Sequence, residues 1–153
     1  MSVALTNRAG YGGGGFGSYV AIKTETFTGG AEHGLAGTVA LFTVTGAVLV
    51  RLVCVCTESL IEAAGGGTIE VGIASATTNL IAATTSADIL IDEIWNDATP
   101  NSDIEDISVM ASRVIAGGAD IFATVRVKAI TDGTLVFALF WTPITPGATV
   151  VAA

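Results

Sequence analysis

The chain has 153 residues, enough for one domain around one core. It is 51% hydrophobic and only 13% charged, which excludes an intrinsically disordered chain. Its net charge of −8, with six scattered basic residues, argues against a nucleic-acid partner, because phosphate neutralisation needs clustered Lys and Arg.

The first segment, MSVALTNRAG, has no apolar core of the kind a secretory signal carries. GYGGGGFG comes next, at residues 10–17. Gly10, Gly12 and Gly15 fit the dinucleotide spacing G-x-G-x-x-G, and Gly12, Gly14 and Gly17 fit it again. That fingerprint works only between a strand and a helix whose first N–H groups meet the pyrophosphate. Here no strand leads in, and the next residues, SYVAIKTETFT, alternate with period two. The expectation is therefore no cofactor but a flexible glycine-rich arm over residues 1–17, with Tyr11 and Phe16 as apolar anchors for a neighbouring subunit.

From Ser18 onwards the pattern is that of strands. Tyr19, Ala21, Lys23, Glu25 and Phe27 face one way in the first of them. GGAEHGLAG breaks the chain. Residues 38–44 and 48–57 read as two strands around a Thr45-Gly46-Ala47 turn, and the second is apolar on both faces apart from Arg51, as a central strand should be. That same stretch is the longest apolar run. Arg51, Gly46, several threonines and its β-branched residues argue against a membrane helix, so no membrane partner is expected.

AAGGGTIEVGIAS reads as a glycine turn followed by a strand with Ile69, Val71 and Ile73 on one face. NLIAATT and DILIDEIW are short and β-leaning. An acidic loop spans residues 96–106, and Ser102-x-x-Glu105 matches a capping box that would start one helical turn. Ile107, Val109, Ala111 and Ile115 also alternate, and with GGAD after them they predict a hairpin. Two last strands, 120–131 and 134–144, are expected to form a hairpin through Asp132-Gly133, the pair that type I′ turns favour. Pro143 and Pro146 end the pairing. The sum predicts an all-β fold: an antiparallel β-sandwich or jelly roll over residues 18–153.

Candidate chemistry is sparse. Cys54 and Cys56 would share one face of a strand with Cα atoms roughly 6.5–7 Å apart, at or past the disulfide limit, so buried free thiols are predicted. With one histidine and no further cysteine, zinc lacks ligands. His33 has no G-x-S-x-G nucleophile to serve and reads as an exposed loop residue. Asp88, Asp92, Glu93, Asp97, Asp103, Glu105 and Asp106 raise calcium binding or a glycosidase carboxylate pair. The calcium-loop spacing and a cluster of sugar-stacking aromatics are both missing, and a solvated acidic face is the expectation. Trp95 and Trp141 read as core or interface rather than sugar platforms.

The stretches LFTVTGAVLVRLVCVCTESL, NLIAATTSADI, IWNDATP and ITDGTLVFALFWTPITPGATVVAA are similar to small virion proteins of tailed bacteriophages, the capsid decoration or cement proteins. The likeness runs from about Gly29 to the C-terminus and carries no catalytic residue. It implies a non-enzymatic structural protein that trimerises and clamps the major capsid protein from outside the shell, made in the host cytoplasm and resident on the virion surface. The alternative is a tail- or fibre-associated β-sandwich that binds host glycans, and a hydrolase using the acidic loop is the weakest reading. A high mean hydropathy of +0.70 suits burial between neighbours. The apolar end GATVVAA adds Val150 and Val151 to Tyr11 and Phe16 as candidate interface residues.

Overall fold

The structure, a computed structural model, describes residues 5–6 and 18–153. Its strands are β1 (Leu5–Thr6), β2 (Tyr19–Thr26), β3 (Gly37–Thr45), β4 (Val48–Glu62), β5 (Thr68–Ile73) and β6 (Ala76–Thr85). They continue as β7 (Glu93–Ile94), β8 (Asn101–Ser102), β9 (Ser112–Ile115), β10 (Ile121–Arg126), β11 (Ile130–Pro143) and β12 (Thr149–Ala152). Strands make up 61% and helix 4%, the latter as two 3-10 turns at Ser86–Asp88 and Ile107–Val109. The protein is all-β.

Two antiparallel sheets pack face to face. The larger runs β1-β2-β11-β4-β7-β8, with β9 also on β4, and the smaller runs β12-β3-β10-β5-β6. The pairs β2·β11, β3·β10, β4·β9 and β5·β6 nest from the outside of the chain inwards. Such an order is one long hairpin rolled up, with successive pairs laid on alternate sheets, and that is a jelly roll. Period-two alternation puts one side of each strand into the core. Val48, Val50, Leu52, Cys54 and Cys56 of β4 meet Leu135, Phe137 and Leu139 of β11 and Ile69, Val71, Ile121, Ala123 and Val125 of the opposite sheet, all buried. Trp95 is fully buried and meets Phe137 edge-on, with ring centroids 6.5 Å apart.

Local signals misplace some connections. Asp132-Gly133 does not turn a hairpin. It lies inside β11, where the ladder with β4 shifts register and Gly133 adopts φ +111°, at a place where a Cβ would overlap Ser59 and Leu60. The glycine permits a bend, not a reversal. The chain turns instead at Val127, whose φ is 70°, and passes from β10 in one sheet to β11 in the other. Pairing along β11 with both β2 and β4 outweighs the local hairpin preference.

The expected hairpin around residues 107–115 is likewise absent, because β9 adds to the side of β4. The helical turn that does form there is capped by Asp106, whose carboxylate accepts from Ser108 N at 2.8 Å, not by Ser102. DILIDEIW contributes only the two residues of β7. The Thr45-Gly46-Ala47 turn is present, but it carries the chain between sheets.

Replacing Phe137 by Ala should cost about 3–5 kcal/mol, since the site is enclosed on every side and cannot collapse. Urea unfolding followed by tryptophan fluorescence measures it, and a loss under about 1 kcal/mol would contradict this account of the core.

Candidate functional site

The residues with chemical potential fall into four places, and most of them serve the fold. Glu25 is a charged residue that points inward from β2 and is only 2% exposed. Its carboxylate meets His33 Nδ1 at 2.7 Å and Lys23 Nζ at 3.9 Å, while Lys23 Nζ also donates to the Ala153 carbonyl at 2.7 Å. The His33 side chain is 58% exposed. Among the described residues its side-chain hydrogen bond goes to Glu25, so no serine stands where a nucleophile would need to be. The glycine spacings of residues 10–17, with Tyr11 and Phe16, lie outside the described residues. The element after them is strand β2, not the helix a pyrophosphate site requires.

Carboxylates of the acidic loop bind its own backbone. Glu93 accepts from Leu90 N at 2.8 Å, and Asp97 accepts from Thr99 N and Oγ1, both at 2.7 Å. Glu105 accepts from Asp106 N at 2.7 Å and from Asn101 Nδ2. The backbone and hydroxyl donors of Ser108 hold the Asp106 carboxyl below its usual range. These groups act as turn and cap acceptors. Among the described residues no three His, Cys, Asp or Glu side chains converge as metal ligands.

Both cysteines are buried and unpaired. Burial, reinforced by the neighbouring Cys56, pushes the Cys54 thiol well up. Desolvation raises Cys56 to about 11 against hydrogen bonding that works the other way. Neither is a nucleophile near neutral pH. Neither tryptophan presents a free ring face: Trp95 is inside, donating to Thr84 Oγ1 at 2.8 Å, and Trp141 is 5% exposed and stacked on Tyr19 at 4.6 Å. Val150 is also a core residue at 1% exposure, whereas Val151 is 45% exposed. Only Val151 of that pair is presented outward.

The surface offers two features the sequence pattern did not single out. One is a margin of the larger sheet. Leu90, Ile91, Ile104, Ile107, Val109 and Val114 are exposed large apolar residues between positions 90 and 114, and Leu49 faces Val114 across the β4·β9 pair. Ile104 is 82% exposed. The other is a groove of about 410 Å³ on the smaller sheet, lined by Thr38, Ile73, Ala74, Thr77, Phe122, Thr124 and Arg126. Beneath it Glu70, 3% exposed, accepts from Arg126 Nε at 2.9 Å and Nη2 at 2.8 Å. Desolvation pushes the Glu70 carboxyl up, but hydrogen bonds from Arg126 and Thr77 and the guanidinium charge prevail and hold it below 4.5. No family model, curated protein or solved structure matches the chain.

These geometries make two outcomes measurable. Thiol titration of the native protein near pH 7 should find almost no reaction, and titration after denaturation should find two thiols. A native thiol reacting at the rate of a free one would refute the burial. Because the Glu70 pKa is lowered on folding, its ionisation stabilises the protein above about pH 4.5, and that contribution disappears as pH falls through the native value. Glu70→Gln should therefore be less stable than the parent at pH 7, with the gap in melting temperature narrowing below about pH 4.5. A gap constant from pH 7 to pH 3 would exclude the ion pair as its source.

Proposed function

We propose that this protein is a non-enzymatic structural component of a tailed-phage virion, a decoration protein that trimerises and stabilises the head from outside. The observation that carries this reading is the apolar margin at Leu90, Ile91, Ile104, Ile107, Val109 and Val114. Six large apolar side chains exposed along one sheet margin are apolar surface that contact with a partner would remove from water. The jelly roll supports the reading as a rigid platform whose loops carry contacts instead of catalysis, and so does the resemblance in its strand sequences.

The margin also carries Asp92, Glu93, Asp97, Asp103, Glu105 and Asp106 against the single cation Arg113, so its net charge is negative. Two copies joined there would repel, whereas a partner with basic residues around an apolar patch would be attracted. This charge supports the shell as the margin's partner in the proposed role, with the trimer contact made through other surfaces. Val151 is one outward apolar residue available to it. The alternative of a glycan-binding tail protein draws on a different surface, the groove of the smaller sheet.

Sedimentation at micromolar concentration should give a species three times the 15.4 kDa chain. The protein should co-purify with particles of the phage that encodes it and be accessible to antibody on intact heads. Ile104→Lys with Ile107→Lys should leave the trimer intact and weaken retention on heads about tenfold or more, equivalent to at least ~1.4 kcal/mol. Absence of the chain from purified particles would overturn the assignment, and unchanged retention of the double variant would remove the margin from it.

A further inference from the structure

We infer that the groove on the outer side of the smaller sheet is a binding site for a neutral sugar ring, independent of how the protein attaches to a particle. It is built from β3, β10 and the β5–β6 connection. In the sheet register Phe122 lies between Ala40 and Gly72, and Thr124 lies between Thr38 and Glu70. Small neighbours on both sides leave the Phe122 ring half-buried but uncovered by side chains from its own row. The ring is the apolar floor a pyranose face stacks upon.

One wall is made by an irregularity. Between Val71↔Ile81 and Ile73↔Ala76 the register of β5 and β6 shifts, with extra residues on β6. This bulge folds over Gly72 so closely that a Cβ there would overlap the Ala76 carbonyl and Thr77 backbone. Only glycine admits the approach, and the approach brings Thr77 and Ala74 to the groove. Bulges commonly re-aim side chains beside a site.

The polar groups specify the ligand. Arg126 is fixed by the buried Glu70 through Nε and Nη2, with Nη2 also 3.3 Å from Thr77 Oγ1. Its guanidinium is oriented and its charge is balanced, and the side chain is still half exposed towards the groove. The hydroxyls of Thr38 and Thr124 make no hydrogen bond among the described residues, and both line the same space. An anion is disfavoured, because the one cation lining the groove is already neutralised in a chain of net charge −8. A wholly apolar ligand would desolvate the hydroxyls and guanidinium without replacing their hydrogen bonds. A ring with one apolar face and a rim of hydroxyls meets both demands. The groove, at about 410 Å³, falls within the ~300–1,000 Å³ of small-ligand sites.

Isothermal titration and saturation-transfer NMR of the purified full chain test this without any particle. The probes are maltopentaose, cellopentaose, chitopentaose and mannopentaose, with sialyllactose as the anionic comparator. At least one neutral probe should bind with Kd on the order of 1 mM or below, as expected of a shallow site with one stacking ring. Phe122→Ala should weaken it about tenfold or more, and Thr38→Val, an exposed change that leaves the core untouched, severalfold. The proposal is overturned if none of the neutral probes binds, if binding survives both substitutions in variants whose melting temperature is unchanged, or if sialyllactose binds more tightly than every neutral probe.

Discussion

The ladder that β11 makes with β2 on one side and β4 on the other holds the molecule together. β11 is fourteen residues long, and Leu135, Phe137 and Leu139 on its inner side are wholly buried. Because β2 comes early in the sequence and β11 late, this ladder closes the roll: every other strand of the two sheets from β3 to β10 is threaded between its two partners. Breaking it would release the outer pair and expose the core to the remaining sheet. The short strands β7, β8 and β9 contribute little pairing of their own and depend on β4, which β11 holds in place.

A sandwich of this kind has open sheet margins, and unguarded margins recruit strands from other molecules. Among the described residues, strand β2 has no partner on that side below its brief contact with β1, and it carries Lys23 and Glu25 on its core-facing side. Inward charges on an edge strand oppose further pairing, because a new strand would seal them from water. His33 and the Ala153 carbonyl satisfy them in the native state. The arrangement therefore has a structural purpose, and the Glu25–His33 contact needs no catalytic role to explain it.

The fold class was legible because alternation is a local property: Val48 to Cys56 and Leu135 to Trp141 display it residue by residue. Strand partners were not legible, because they depend on residues far apart. Asp132-Gly133 shows the limit most clearly. The same dipeptide that ends a strand in a short hairpin bends one that has partners on both sides. The buried thiols could be anticipated from spacing and surroundings. Neither the Glu70–Arg126 pair nor the groove above it could be, since 56 positions separate the two residues and the bulge over Gly72 has no signature beyond a glycine in a strand. The exposed isoleucines of residues 104–107 were visible as letters, but alternation assigned Ile107 to a hairpin that does not form.

The closing ladder also gives the molecule a direction. Tyr19 stands opposite Trp141, and Ser18 N donates to Trp141 O at 3.0 Å, so the chain enters β2 and leaves β11 at the same end. The loop holding His33 and the turn at Val127 lie towards the other end, near Thr26 and Thr134. Tension applied between Ser18 and Thr142 would peel this ladder apart one pair at a time, whereas tension along the strands from opposite ends would load all its hydrogen bonds together. A body built this way resists being sheared along its strands far better than being drawn open from the end where both segments emerge. Its mechanical strength is thus set by the direction from which a neighbour pulls.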